Sequence, residues 1–278
     1  MRNRYLVVDQ NYLRSEDLKR IVATQPEVCF VLPDLAMLEM TKSDLRELTI
    51  RLSLETLSKS PSRVFVARAL GESLRYELTN RRPVVGHLIF REATQFIRSV
   101  LCAIAANSSN ADLARVLNDP ENHVADLERD YLDHLSNKAR ALELVAATKG
   151  GMSAAFVKRV RSAKATNDEL LSFVANTARS LLIDVLEESG FSHQKAIKFA
   201  RKKPMLLRYF YLKVWACLEW EKLGWLESVG AAKISNELLD HEYVLAATFF
   251  DGVLSNEQSV IDGYHAITQL LSSPRRAQ

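Results

Sequence analysis

The chain has 278 residues, 47% hydrophobic and 26% charged, with 37 Lys and Arg against 34 Asp and Glu for a net charge of +3. That apolar content excludes wholesale disorder, and so small a net charge names no partner by itself. Nine Gly and seven Pro exclude a collagen-like or turn-rich all-β chain and favour long helices.

Met1-Arg2-Asn3-Arg4-Tyr5 leads into only three apolar residues before Asp9, so no signal-peptide core is expected. Tyr5–Val8, Val28–Leu32, Val64–Ala67 and Val253–Leu254 are continuously apolar rather than alternating. Short runs of that kind separated by helices predict a parallel sheet covered on both faces. Ser15 is placed to cap a helix carrying Leu18, Ile21 and Val22 on one face. Pro33-Asp34 opens the next helix, and Leu45, Leu48 and Leu52 continue a helical stripe.

From Gly71 to Leu226 the pattern is helical throughout. Asp119-Pro120 marks one helix start, Thr166-Asn167-Asp168-Glu169 is a capping box, and Gly150-Gly151 and Gly190 read as breaks. Helix is expected again at Asp240–Phe250 and Ser259–Leu271, followed by a frayed tail from Ser272. The expected fold class is α/β, with a parallel sheet interrupted by an all-α insertion domain. The sheet domain is read as residues 1–70 and 227–278, and the helical insertion as 71–226. The longest apolar run, Val100–Ala106, is too short for a membrane span. Cys29, Cys102 and Cys217 are widely spaced and odd in number, which argues against a disulfide framework or a cysteine zinc site. A reduced, cytoplasmic protein is therefore expected.

In parallel sheets, functional groups gather at the C-terminal ends of strands. Strand one ends in Asp9, followed by Gln10 and Asn11; strand two leads to Asp34 and Glu39; the last strand ends in Ser255-Asn256-Glu257. Asp240 is read as a helix start and Asp251 directly precedes the last strand. Several carboxylates at one edge raise one another's pKa unless a cation intervenes. A hard divalent ion such as Mg²⁺ or Mn²⁺ would resolve this through oxygen ligands, a centre suited to phosphoryl transfer. Asp9, Glu39 and Asp240 are the candidate ligands, with Glu257 or Asp251 completing the ring, and Asn11 and Ser255 placed to hold water or a phosphate oxygen.

Val7-Val8-Asp9-Gln10-Asn11, Pro33-Asp34-Leu35-Ala36-Met37-Leu38-Glu39, Asp240-His241-Glu242-Tyr243-Val244-Leu245-Ala246-Ala247 and Ser255-Asn256-Glu257 resemble, in that order, the motifs of PIN-domain nucleases. The resemblance implies a three-layer α/β/α fold, Mg²⁺- or Mn²⁺-dependent cleavage of RNA, and Asp9, Glu39, Asp240 and Glu257 as the catalytic acids. By family habit it also implies a bacterial toxin or defence role, a protein antitoxin or regulator, and self-association. The family usually ends its last motif in Thr-x-Asp, where this chain has Ser255-Asn256-Glu257. That departure motivates an alternative, a non-catalytic PIN-like module binding RNA or protein. Arg129 and His134 match the Arg-x4-His pattern of helical HEPN ribonucleases. Arg82 and His87 match it too, a coincidence that arginine-rich helices produce by chance.

Charge is blocked along the chain. Phe191–Leu218 holds seven basic residues and no acid, and Lys138–Lys164 holds seven and one acid. Glu219–Asp262 holds nine acids and two lysines. Lys195, Arg201, Lys202 and Lys203 are the candidate contacts to a polyanionic backbone. The interleaved aromatics Phe199, Tyr209, Phe210, Tyr211 and Trp215 are read as core rather than as base-stacking groups, since Leu207, Phe210 and Val214 keep helical spacing.

Overall fold

The computed structural model describes residues 2–41, 45–86, 88–109, 134–224 and 231–272. Four strands form one sheet: β1 (Arg4–Val8), β2 (Val28–Leu32), β3 (Val64–Val66) and β4 (Gly252–Leu254). Their order is β3-β2-β1-β4 and every pairing is parallel. The register sets Leu6 beside Phe30 and Gly252, and Val8 beside Leu254. The four apolar runs thus fall where strands are found, and the architecture is mostly helical around a small parallel sheet, consistent with an α/β class.

The first half alternates with the strands: α1 (Glu16–Thr24), α2 (Asp34–Thr41), α3 (Arg46–Ser58), α4 (Leu70–Asn80) and α5 (Arg91–Ala105). Ser15 accepts from the Leu18 amide at 3.1 Å, the expected N-cap. Helices α6 (His134–Gly150), α7 (Ala154–Arg161), α8 (Asn167–Glu188), α9 (His193–Ala200) and α10 (Met205–Leu223) follow. Thr166 and Glu169 close the capping box at the start of α8. Gly190 takes a positive φ of 83° just after α8, a conformation that L side chains disfavour. Helix α11 (Ala231–Ala247) precedes β4, and α12 (Gln258–Ser272) follows it. The Asp119-Pro120 start, Arg129, His87 and the tail beyond Ser272 lie outside the described residues.

Strand side chains alternate between two cores, because successive residues of a strand point to opposite faces. Leu6, Val8, Phe30, Leu32, Val64 and Val66 pack with Leu18 of α1, Leu54 of α3 and Ile97 and Leu101 of α5. Val7 and Val31 pack the other way, with Val174 and Leu182 of α8, Leu212 of α10, Val244 of α11 and Ile267 of α12. Each such side chain contributes roughly 1.5–3 kcal/mol on burial. Helix α5 and the α8–α10 helices, all within the segment read as an insertion, therefore share their cores with the sheet.

A buried carboxylate ties two of the helices together. Buried Glu77 of α4 accepts from the amides of Val84 and Met205 at 2.8 Å and of Leu206 at 2.9 Å, so it caps the otherwise unpaired start of α10. Arg208, one turn on, donates to the Thr248 carbonyl and lies 3.8 Å from the centre of the Phe249 ring.

Candidate functional site

Asp9 follows β1 directly and is 2% exposed. Its Oδ1 accepts from the Asn11 amide at 3.3 Å, capping a short 3-10 turn at Gln10–Tyr12. Its Oδ2 accepts from Ser255 Oγ at 2.5 Å, across the β1–β4 pairing. Ser255 in turn accepts from the Glu257 amide at 2.9 Å, and Asn11 Nδ2 donates to Glu257 Oε1 at 3.4 Å. The ends of β1 and β4 are thereby laced into one polar edge.

Glu39 reaches this edge from α2 and Asp240 from α11. Asp240 lies in the helix interior rather than at a helix start. The difference arises because Ile234 and Leu239 already pack into apolar clusters, carrying the helix back to Ala231. Tyr243, one turn after Asp240, is 1% exposed. It donates its hydroxyl to Glu39 Oε2 at 2.6 Å and accepts from the Gln10 amide at 3.3 Å.

The acids feel one another. Asp240 is pushed up to about 7, first by burial and then by the charges of Asp9, Glu257, Glu39 and Glu237. Asp9 is raised by burial, with Glu257 adding and the Ser255 hydroxyl opposing. Tyr243 is driven well above its ordinary value by burial and by Glu39. Among the described residues, no cation pairs with Asp9, Asp240 or Glu257.

Other candidates lie elsewhere. Asp251 stands at the start of β4, where its amide donates to the Tyr5 carbonyl at 2.8 Å and its Oδ2 accepts from the Tyr5 amide at 2.8 Å. Four residues of strand, roughly 13 Å, separate that end from Asp9. It belongs to the opposite edge, because a parallel strand presents its preceding residue there. Lys203 is half-buried and donates to the Leu271 carbonyl. That carbonyl sits at the far end of α12 from Glu257, and a 15-residue helix is about 22 Å long. Lys195, Arg201 and Lys202 are exposed on the same α9–α10 segment. Phe199 and Tyr211 are core residues, and Tyr209, Phe210 and Trp215 are half-buried against that core.

Tyr243 joins this edge through Glu39, a partner 204 residues away that local spacing does not reveal. Lys213 is one of the seven basic residues of Phe191–Leu218. It is buried, 3.4 Å from His241 Nδ1 and over the Tyr209 ring. Its charge opposes the burial that, together with Asp34, pushes Glu242 up to about 7.

Oxygen-only donors suit a hard cation, and Mg²⁺ is commonly held through one or two carboxylates with waters filling the other positions. Among the described residues, no three His, Cys, Asp or Glu side chains converge closely enough to hold a metal ion directly. The oxygen donors at this edge are of the type that Mg²⁺ or Mn²⁺ takes. No helix of the described residues is long and apolar enough to cross a membrane. Compared with family models, curated proteins and solved structures, the chain matches none.

Proposed function

We propose that the protein is a metal-dependent endoribonuclease with a three-layer, PIN-like α/β/α catalytic unit into which a helical segment is inserted. One observation carries this reading. Four acids drawn from β1, α2, α11 and the end of β4 share one edge of a parallel sheet, with Asp240 pushed up to about 7 first by burial and then by the charges of the others. Such an edge is unfavourable until its acids are protonated or a cation compensates them, a cation there suits phosphoryl transfer, and the resemblance to PIN-domain nucleases makes RNA the proposed substrate. Mg²⁺ or Mn²⁺ bound here supplies charge neutralisation and the Lewis acidity that makes water nucleophilic at neutral pH.

The chain's own residues divide the remaining work. Asp9, Glu39 and Asp240 would hold the cation, and Glu257 stands at the rim as the fourth acid. Ser255 keeps Asp9 turned toward the edge, and Asn11 tethers Glu257. Asp240 must be ionised to hold the cation, and a bound cation would lower the proton affinity that burial and the other acids raise. Incubating the purified chain and Asp9→Asn with mixed cellular RNA, in Mn²⁺ and in EDTA, tests the proposal. Cleavage by the parent chain in Mn²⁺ alone, abolished in the variant, is expected. Undiminished cleavage by Asp9→Asn overturns it.

A second reading, a PIN-like module that binds RNA without cleaving it, is favoured by the absence of a three-residue metal cluster among the described residues. The same incubation separates the two, since that module would retain RNA intact in either condition.

A further inference from the structure

Four elements deliver the acids to the sheet edge, and a single buried side chain joins three of them. Tyr243 rises from α11 one turn after Asp240, donates to the Glu39 carboxylate on α2 at 2.6 Å, and accepts from the Gln10 amide beside Asp9 at 3.3 Å. A phenol is well chosen for this place. It is rigid, it both donates and accepts, and its ring fills space that a longer flexible donor would leave mobile. The ring lies in an apolar cluster that a phenylalanine would fill equally, so packing alone does not call for the hydroxyl.

We propose that Tyr243 is a positioning residue of the acidic centre, its hydroxyl locking the Glu39 carboxylate to the end of β1 in register with Asp9 and Asp240. The proposal rests on the reading of this edge as a cation site and adds the device that sets its geometry. Glu39 sits on a flexible side chain with three rotatable bonds, whereas Asp9 is fixed by Ser255 and by the Asn11 amide. Partners behind a ligating carboxylate typically change metal affinity by 10–100-fold when removed.

The test is Mn²⁺ binding to the full chain, followed by titration calorimetry, with Tyr243→Phe and Asp9→Asn in parallel. Thermal unfolding without metal monitors the fold. Tyr243→Phe keeps the ring and removes only the hydroxyl. The expected result is Mn²⁺ affinity reduced about ten-fold in Tyr243→Phe, with cooperative unfolding retained. Tyr243→Leu should weaken binding at least as much. Parent-like Mn²⁺ affinity in Tyr243→Phe overturns the positioning role while leaving the cation site intact. No Mn²⁺ binding by the parent chain overturns the cation site and the positioning role together. If Tyr243→Phe fails to fold, Glu39→Gln provides the second measurement. Loss of Mn²⁺ affinity there supports a ligand that needs positioning, and parent-like affinity overturns the proposal.

Discussion

Ser255 Oγ donates to Asp9 Oδ2 at 2.5 Å, joining the ends of β1 and β4. That hydroxyl opposes the burial that raises Asp9, so Ser255→Ala should raise Asp9 further. An acid whose folded pKa exceeds its unfolded value loses stabilisation as pH climbs from its unfolded pKa, about 4, to the folded one. The variant should therefore lose about 1–2 kcal/mol at pH 8 and less at pH 4. Urea melts at the two pH values check this, and Ser255→Thr should behave like the parent chain.

Asp240→Asn should stabilise the protein above neutrality. Asp240 stays protonated in the folded state until about pH 7, against an ordinary value near 3.8, so the parent chain loses stability across that window. Asparagine carries no charge to repel Asp9, Glu257 and Glu39. A gain of about 1–3 kcal/mol at pH 8, a few degrees in Tm, should disappear at pH 4. Adding Mn²⁺ should narrow the gap by stabilising the parent chain alone. A variant equally stable to the parent at pH 8 would contradict the shared field of the acids.

Lys213→Met should separate charge from packing inside the molecule. The methionine keeps most of the apolar stem but removes the charge that favours ionised Glu242, whose pKa lies near 7. At pH 8 the variant should lose about 1–2 kcal/mol, and at pH 5.5, with Glu242 protonated, the loss should vanish or reverse. An equal loss at both pH values would mean that only packing is involved.

Glu77→Gln should cost more than its conservative form suggests. Both carboxylate oxygens accept backbone amides, two at Oε1 and one at Oε2. A glutamine must turn its own N–H toward one of them. A loss of about 2–3 kcal/mol is expected from the unpaired amide and the weakened cap of α10. Hydrogen exchange should show the faster opening at the first turn of that helix.

Much of the sheet was legible because Val28–Leu32 and its counterparts are unbroken apolar runs, a pattern that buried parallel strands require. The positions of Asp9 and Glu257 followed from strand direction alone. Asp251 was placed on the wrong edge because sequence proximity to a strand does not state which end a residue occupies. The basic block around Lys203 was readable as charge but not as location, since its distance from Glu257 depends on how α12 runs. Lys213 and Tyr243 were hidden for another reason. Their roles come from partners 28 and 204 residues away, His241 and Glu39, and no local pattern encodes such pairings.

The hydrogen bond between Asp9 and Ser255 spans 246 residues of chain. Closing a loop of that length costs about 5 kcal/mol in chain entropy before any contact rewards it. During synthesis, β1, β2 and β3 can pair long before β4 leaves the ribosome, so the edge between β1 and β4 forms last. A chain still attached to its ribosome, surrounded by RNA, would hold Asp9 and Glu39 without Asp240, Ser255 or Glu257. The order of the elements thus keeps the acidic centre incomplete until translation has passed Glu257.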